Sequence, residues 1–368
     1  MDDTDKKILT AIQTDLPVAE RPFDVLAGQL GLAAEDVLAR VARLSADGFL
    51  RRIGPIFDSR SLGYLSTLVA ARVPPERLKE VADRASALPG VTHNYERRHA
   101  YNLWFTLTTP SRESQTRTLE TLRRETGIPH FYSLPALAVY KIRVKFDLTE
   151  DAGGLDASMP QSRMTPKPLS DEQKGLVRLI QEGIPPIREP FADAAALLRW
   201  PVRRVIEQIR EWLAVGIIRR FGAVVRHREL GFSASGMAVF RTPDSDVDAA
   251  GRRLAELPAV SHCYRRPPLE GFPYNLFAMV HGHTEDEVRQ AVAEMAERSG
   301  LKDYDILFST TEFKKVSMRY FVEAQATYSS LSVLNLWVPR LRCLQPCSAP
   351  NGGTVAERRN RGTRYHNV

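Results

Sequence analysis

Hydrophobic residues in the first 60 positions recur at helical spacing and predict three short helices. Gly31 marks a turn between the second and third helices, and Gly48 suits the end of the third. The apolar faces of the first and third helices are formed by Ile8, Leu9 and Ile12, then by Val37, Leu38, Val41 and Leu44. Three helices with a central turn are typical of a helix-turn-helix, which we assign to residues 1–60.

From residue 61 the pattern changes to an alternation of strand-like and helix-like stretches. "LSTLVAARV", "YNLWFTLTT" and "ALAVYKIRVKFDL" predict strands, while "PERLKEVADRASALPGV" and "SRESQTRTLETLRRETG" predict helices. With one further strand just before "HNYER", the order over residues 61–150 is β-α-β-β-α-β. That order predicts a ferredoxin-like sandwich.

The chain repeats itself with an offset of 219 − 51 = 168 residues. "LRRIGPIFDSRSLGY" lies on "IRRFGAVVRHRELGF" without a gap, and "YNLW" lies on "YNLF" after a short insertion in the second copy. Such self-similarity predicts an α+β protein of two tandem repeats, each a winged helix-turn-helix followed by a ferredoxin-like βαββαβ sandwich. The predicted segments are 1–60, 61–150, a Gly/Ser/Pro-rich linker at 151–168, 169–228, 229–323 and a disordered tail at 324–368.

Composition restricts the class of protein and its compartment. Of the 368 residues, 43% are hydrophobic and 26% are charged, which is typical of a globular protein. No apolar run is long enough for a membrane span, no signal peptide is visible, and Cys263, Cys343 and Cys347 are too few for a disulfide framework. We therefore expect a cytoplasmic protein without membrane contact. The net charge of +7 fits nucleic acid and a small polyanionic ligand equally well.

Two clusters of polar and aromatic residues lie at matching places in the repeats. The first is "HNYERRHAYNLWF", residues 93–105, and the second is "HCYRRPPLEGFPYNLF", residues 262–277. The second copy keeps the His and the Tyr but lacks a counterpart of His99. Duplication explains why the cluster occurs twice, and it predicts two pseudo-equivalent pockets. The sequence leaves open which of the two works.

The two halves resemble the Lrp/AsnC family in fold. "DDTDKKILTAIQTD" and "GLAAEDVLARVARLSADGFLRR" are similar to the DNA-binding half of that family, and "LPGVTHNYERRHAYNLWFTL" lies where its effector-binding sandwich has a strand-turn-strand. More specifically, "FDSRSLGY" with "HNYERRHAYNLWF" resembles the first subunit of the siroheme decarboxylase family. "RRFGAVVRHRELGF" with "CYRRPPLEGFPYNLFAMVHG" resembles the second subunit, in the order of the fused two-subunit form.

The resemblance implies removal of the C12 and C18 acetate carboxylates of siroheme, giving 12,18-didecarboxysiroheme and two CO2. The product would serve heme d1 biosynthesis or an alternative route to heme. The resemblance also implies siroheme as substrate, no cofactor beyond this iron tetrapyrrole, and other heme d1 biosynthesis proteins as partners. Because Lrp-like sandwiches commonly pair through their sheets, we expect a homodimer. We do not expect DNA binding.

Siroheme carries carboxylates around an apolar ring, so its site needs Arg side chains, aromatic walls and a His for the iron. Decarboxylation also needs a proton donor, and imidazole titrates near working pH. We predict His99, His227, Tyr95 and Tyr264 as catalytic residues, with His99 or His227 as ligand of the siroheme iron and no resident metal. The predicted substrate-binding residues are Arg51, Arg52, His93, Arg97, Arg98, Tyr101, Asn102, Arg219, Arg220, His262, Arg265, Arg266, Tyr274 and Asn275.

Several of these residues also have a structural interpretation. Strand-end histidines such as His93 and His262 are often structural, and inward-facing aromatics such as Tyr101 and Tyr274 are often core residues. The Arg pairs at 51–52 and 219–220 are also placed to contact phosphate from the wing of a DNA-binding domain.

Two other functions would use the same residues. A DNA-binding regulator needs a basic recognition helix, but "AAEDVLARVARLSAD" carries Glu35, Asp36 and Asp47 against Arg40 and Arg43. A tetrapyrrole sensor without chemistry would need the same Arg and His residues as the enzyme. Only turnover separates the sensor from the decarboxylase.

Overall fold

The structure is a computed structural model that describes residues 1–142, 168–225 and 234–322. The predicted tail, all but the last residue of the predicted linker, and His227 lie outside the described residues. The helices are α1 (Asp3–Thr14), α2 (Pro22–Leu30), α3 (Ala34–Ala46), α4 (Leu78–Ala87), α5 (Arg112–Thr126), α6 (Asp171–Ile180), α7 (Ala192–Leu198), α8 (Val202–Ala214), α9 (Val247–Glu256) and α10 (Glu285–Ser299). The strands are β1 (Leu50–Phe57), β2 (Leu65–Ala71), β3 (Val91–Arg97), β4 (Leu103–Thr109), β5 (Phe131–Pro135), β6 (Ala138–Ile142), β7 (Ile218–Val225), β8 (Ala234–Phe240), β9 (Val260–Arg265), β10 (Leu276–Gly282) and β11 (Tyr304–Lys315).

Both repeats begin with the predicted three-helix unit. α1 starts in a capping box between Asp2 and Asp5, and α6 starts in the equivalent box between Ser170 and Gln173. The turn after α2 needs a left-handed residue, which is Gly31 at φ 66°. In the second repeat Arg199 takes that position at φ 55°, and the following Trp200 is buried. The turn therefore persists although its glycine has been replaced.

The two wings pair with each other. β1 and β7 form a two-stranded antiparallel sheet in which Gly54 lies opposite Gly222. These two glycines occupy the same position of the repeat, so a pseudo-two-fold axis passes between them. A side chain on Gly222 would meet the carbonyl oxygen of Ile12, which explains the glycine there. One hydrophobic core spans both helix-turn-helix units.

The sandwiches form a single nine-stranded sheet in the order β5-β2-β4-β3-β11-β8-β10-β9-β6. The predicted βαββαβ order is confirmed, but the last strand of each repeat begins earlier than predicted and serves both halves. β5 pairs with β2 of its own half, whereas β6 pairs with β9 of the other half. β11 likewise pairs with β8 at its start and with β3 at its end. The halves thus exchange strand ends.

Helices cover the outer face of the sheet in both halves, and the inner faces of the two halves pack together. α4 and α5 cover the outer face of the first half, and α9 and α10 cover that of the second. The inner face of the curled sheet packs against itself, with Trp104 and Leu134 of the first half against Phe272, Phe277 and Leu307 of the second. Pairing of two similar sandwiches through their sheets therefore takes place within this one chain, and the predicted homodimer stays a prediction. Among the described helices, none combines the length and apolarity that a membrane crossing needs.

Candidate functional site

The inner face of the sheet collects residues from both polar clusters. β3 and β9 alternate, so that Asn94 and Cys263 bind the helix layer, through Ala82 O at 2.9 Å and Gly251 O at 3.7 Å. The neighbouring side chains point the other way, towards the space between the halves. We call these the inner-face residues: His93, Tyr95 and Arg97 from β3, and His262, Tyr264 and Arg266 from β9 and its end.

Three histidines meet at the wing end of this face, and we call His93, His262 and His281 the histidine cluster. Burial lowers the pKa of His93 to about 4, with help from the charges of Lys315 and Arg51. Burial also lowers the pKa of His262 to about 4, assisted by His281, His93 and Arg219. His281 behaves in the same way, beside Lys315, with a pKa of about 4. All three imidazoles are therefore neutral at pH 7 in the free protein.

Hydroxyl groups orient these imidazoles. Nδ1 of His93 lies 3.0 Å from Thr92 Oγ1, and Nδ1 of His262 lies 3.1 Å from Ser261 Oγ. His281 bridges Ser235 Oγ at 2.9 Å and Ser261 Oγ at 3.0 Å. Each of the three side chains keeps part of its surface open to solvent. The three imidazoles are thus oriented by hydroxyl groups while part of each residue stays accessible to solvent.

The inner-face tyrosines stack beside the histidines. The ring centroids of His93 and Tyr95 are 6.4 Å apart, and those of His262 and Tyr264 are 6.2 Å apart. Burial raises the pKa of the Tyr264 hydroxyl, although the charges of Arg266 and Arg219 oppose that rise. The hydroxyl therefore keeps its proton at neutral pH and can donate it to a ligand.

Arg97 and Arg266 carry buried charges that no carboxylate balances among the described residues. Arg97 donates to Leu307 O at 2.6 Å, and Arg266 donates to Leu134 O at 2.5 Å, each across to the other half. In both, Nε finds no acceptor within the described part of the chain. Burial lowers the pKa of each to about 10. A buried guanidinium without a counter-ion costs stability, which is typical of a site kept for an anionic ligand.

Each wing carries a pair of arginines. The first of each pair, Arg51 in β1 and Arg219 in β7, lies near enough to the histidine cluster to lower the pKa of one of its imidazoles. Arg219 also binds Asp58 Oδ2 at 2.5 Å. Although burial opposes it, Arg219 together with Ser61 lowers the pKa of Asp58. Arg51 donates to Lys315 O at 3.1 Å, at the end of the exchanged strand β11. Both arginines therefore lie near the histidine cluster, and their contact with substrate stays a prediction.

Arg52 and Arg220 differ from the prediction that they bind substrate. Arg52 donates to Pro55 O at 3.1 Å and to Ser317 Oγ at 3.3 Å. Arg220 donates to Ala223 O at 3.1 Å and to Gln13 O. Because their guanidinium groups bind the backbone of the wings and helices, we assign them to the fold. Alternation along β1 and β7 places them on the face opposite to Arg51 and Arg219.

Two further arginines lie on the outer surface. Arg98 pairs with Glu285 at 2.9 Å, and Arg265 pairs with Asp244 at 3.1 Å and with Asp248 at 3.7 Å. Both had been predicted to bind substrate. The alternation that turns Arg97 and Arg266 inwards places these neighbours outwards, so the structure does not bring them together with the inner-face residues.

His99 and Tyr101 follow β3, beyond its end at Arg97. His99 Nδ1 accepts a hydrogen bond from Tyr101 N at 2.9 Å, and its ring meets Phe272 at 5.2 Å between centroids. Tyr101 is buried and donates to Glu270 O at 2.7 Å, and Tyr274 packs against Phe272. Both tyrosines belong to the apolar cluster with Leu134, Phe277 and Leu307, which Arg97 and Arg266 contact, so they lie at the arginine end of the inner face.

Asn102 and Asn275 have structural roles that replace the predicted substrate contact. Asn102 accepts from Val73 N at 3.0 Å and donates to Val73 O at 2.8 Å. Asn275 makes the same two bonds to Thr242, at 3.0 and 2.8 Å. Both ends of each amide are therefore used to hold the loop after β2 or β8.

His281 and Lys315 were not among the predicted site residues. The signal for His281 was present in "FAMVHG", because Phe277, Met279 and His281 alternate on one face of β10. Lys315 carried no such signal, since only the strand exchange brings it opposite His93.

Comparison with known proteins decides the family. Residues 61–141 and 229–314 match the AsnC-like ligand binding domain, and residues 5–51 and 173–219 match the siroheme decarboxylase NirDL-like HTH domain. The siroheme decarboxylase of Hydrogenobacter thermophilus is 39% identical over 318 residues, covering 86% of this chain and 95% of the relative. This chain belongs to the siroheme decarboxylase family.

Other siroheme decarboxylases give the same result. The NirDL subunit of Paracoccus denitrificans is 34% identical and covers 86% of this chain and 96% of its own length. A crystal structure of the siroheme decarboxylase NirDL with an iron-uroporphyrin III analogue matches at a TM-score of 0.70 and 34% identity. That match covers 92% of this chain and 100% of the other. The predicted fold and family are therefore confirmed.

The lowered pKa values of the histidine cluster make the free energy of unfolding of this siroheme decarboxylase family member depend on pH. The unfolded chain protonates these imidazoles near pH 6.5, but the folded chain does so only near pH 4. Between those values the unfolded state binds more protons, so the free energy of unfolding falls as the pH is lowered. We expect a loss on the order of 2 kcal/mol per histidine, measured by urea unfolding at pH 7 and pH 4.5.

The variant His262→Asn should make that dependence shallower. His130→Asn is the matched control, because His130 is exposed and contacts only Tyr132 Oη at 3.1 Å among its described partners. An unchanged slope in His262→Asn would contradict a neutral His262 in the folded chain.

Proposed function

We propose that this chain removes the C12 and C18 acetate carboxylates of siroheme, yielding 12,18-didecarboxysiroheme and two CO2 for heme d1 biosynthesis. Family membership supports the reaction class, and the chemistry of the inner face supports the substrate class. A cytoplasmic location and contact with other proteins of heme d1 biosynthesis are part of the same proposal. So is the absence of any cofactor beyond the substrate, and no cluster suited to a resident metal lies among the described residues.

Two buried arginines that bind no carboxylate of the described chain carry this proposal. Arg97 and Arg266 lie in pseudo-equivalent positions, each beside a tyrosine ring at 5.8 and 4.8 Å from its centroid. A ring rimmed with carboxylates supplies both the missing counter-ions and a flat apolar surface. An arginine bound to a departing carboxylate would stabilise the ground state and slow the reaction. We therefore assign Arg97 and Arg266 to carboxylates that survive.

The histidine cluster and the two tyrosines can handle the proton. In each decarboxylation the bond between the methylene and the carboxylate breaks, CO2 leaves, and the electron pair remains on the methylene beside the ring. One proton must then be added to give a methyl group. The carboxylates of bound siroheme would raise the pKa of His93 and His262 above their values in the free protein, so that an imidazolium can form and donate. Tyr95 and Tyr264 lie beside these imidazoles as hydroxyl donors.

Ligation of the siroheme iron stays a proposal. His227 lies outside the described residues, and His99 lies at the other end of β3. A neutral imidazole is the form that binds iron, and the histidine cluster supplies neutral imidazoles at pH 7. We therefore add His93, His262 and His281 to the candidates for the axial ligand.

Anaerobic incubation of the purified full chain with siroheme tests the function. We expect the tetrapyrrole to lose two CO2 in steps. Mass spectrometry of the extracted product measures this loss. Binding without any change of mass would favour a tetrapyrrole sensor. If siroheme neither binds nor changes, the proposed function is wrong.

A further inference from the structure

The two helix-turn-helix units touch through ion pairs. Arg21 binds Glu189 at 2.8 Å, and Arg188 binds Glu35 at 2.5 Å. All four side chains come from the helix starts and turns that flank the pseudo-two-fold axis. They join the first unit to the second and lie at the rim of the core that the two units share.

Arg21 and Glu189 occupy the same position of the repeat, since 189 − 21 = 168. A position that contacts its own counterpart lies on the axis. In a pair of two first halves, Arg21 would face a second Arg21. In a pair of two second halves, Glu189 would face a second Glu189. The contact is attractive only between unlike halves.

The second contact lies off the axis, and its repeat-related counterpart, Glu20 with Arg203, is not formed because Arg203 pairs with Glu207 at 2.8 Å. Glu35 and Arg188 correspond to Arg203 and Glu20 in the opposite repeats, by the same offset of 168. Two first halves would bring Glu35 against Glu20, and two second halves would bring Arg203 against Arg188. Both contacts therefore turn from opposite to like charge when a half meets a copy of itself.

We infer that these charges are a pairing code: they favour the contact of first half with second half and oppose the contact of either half with its counterpart in a second copy of this chain. Like-charge contacts are a common way in which interfaces exclude wrong partners. A third ion pair, Arg219 with Asp58, is not part of the code, because two first halves would meet there as Arg51 with Asp58, which is also attractive. Exclusion of first–first pairing thus rests on the helix-turn-helix contacts.

Such a code matters because the halves exchange strands. A nine-stranded sheet built from two similar halves can in principle form within one chain or between two chains. Pairing of like halves would put two copies of one inner-face strand together, for example two copies of β3, and would lose the combination of His93 with His262. The charges favour the arrangement that assembles both.

A charge-inversion cycle in the full chain tests the inference. Arg188→Glu with Glu189→Arg reproduces at this contact the charges that a first half would meet in its own copy. Arg21→Glu with Glu35→Arg reproduces those of two second halves. The fourfold variant restores opposite charges, except that the carboxylate introduced by Arg188→Glu would also lie beside Asp24, which Arg188 contacts at 3.6 Å in the wild type. None of these residues belongs to the inner face.

We expect each double variant to lower the thermal midpoint by roughly 2–4 °C in low salt, and the fourfold variant to recover most of that loss. The differences should vanish near 1 M salt, where the screening length falls to about 3 Å. Inverting the Lys79–Asp83 pair within α4, 2.6 Å apart, is the matched control away from the interface and should change nothing. If the fourfold variant is no more stable than the doubles predict by addition, the charges do not act as a code and the inference is wrong.

Discussion

Siroheme turnover is expected to fall by roughly 10²–10⁴-fold when His93 or His262 is replaced by Asn, because each variant removes a group that can deliver a proton. Asn is neutral, as these imidazoles are in the free protein. It is also smaller than His and can still bond to Thr92 or Ser261. Each variant should therefore still fold but lack the imidazole that donates the proton.

The measurement is single-turnover conversion of siroheme under anaerobic conditions, with the bound fraction determined separately from the tetrapyrrole absorbance. His130→Asn is the control, since it changes an exposed histidine outside the inner face. Near wild-type turnover in both variants would exclude the histidine cluster as proton source. In that case His99 and His227, the histidines predicted from sequence, become the residues to replace.

Replacing Arg97 or Arg266 by Met should weaken siroheme binding by about 10- to 100-fold, which is the effect of one charge-assisted hydrogen bond of roughly 1.5–3 kcal/mol. The same change should not lower the free energy of unfolding of the free protein. Met keeps the length of the side chain and removes a buried charge whose desolvation lowers its pKa to about 10. The lost bond to Leu307 O or Leu134 O acts in the other direction and should roughly offset that gain.

Arg40→Met is the contrasting variant. Arg40 binds Asp5 at 2.9 Å, and Asp5 is only 1% exposed, so its loss leaves a buried carboxylate with less compensation. We expect Arg40→Met to destabilise the fold and to leave siroheme affinity unchanged. If Arg97→Met instead destabilised the free protein with unchanged affinity, Arg97 would be a structural link between the exchanged strands and not a substrate ligand.

The same α3 helix bears on DNA binding, which we did not expect and which stays untested. Arg40 contacts Asp2 at 2.7 Å and Asp36 at 3.0 Å, and Arg43 contacts Asp5 at 2.6 Å. The basic residues of this recognition-helix region are thus paired within the fold. An unpaired basic face, which phosphate contacts require, is not provided by these two arginines.

Local pattern was sufficient for much of the architecture. The duplication with its offset of 168 was visible in the letters, and so was the helix–turn–helix with Gly31 at its turn. The sequence placed a strand just before "HNYER", whereas β3 runs through it, and alternation along β3 and β9 then puts His93 with Tyr95 and His262 with Tyr264 on common faces. These features depend on residues that are near one another in the chain, where propensity and periodicity act.

The tertiary structure alone decided which of the many polar residues share a site. Arg97 and Arg98 are adjacent in sequence, yet one is buried between the halves and the other pairs with Glu285 outside. From the sequence we predicted Asn102 as a substrate-binding residue. In the structure its amide forms hydrogen bonds with the backbone of Val73. The strand exchange that brings Lys315 beside His93 cannot be recognised from a local pattern. Backbone hydrogen bonds between strands are the same whichever half supplies the partner strand.

Sequence therefore determined the family, the repeat and the order of helices and strands within each half. His262 and His281 meet on neighbouring strands of the second half, but His93 joins them only when the two halves pair, since contacts between distant segments depend on packing that no local pattern encodes.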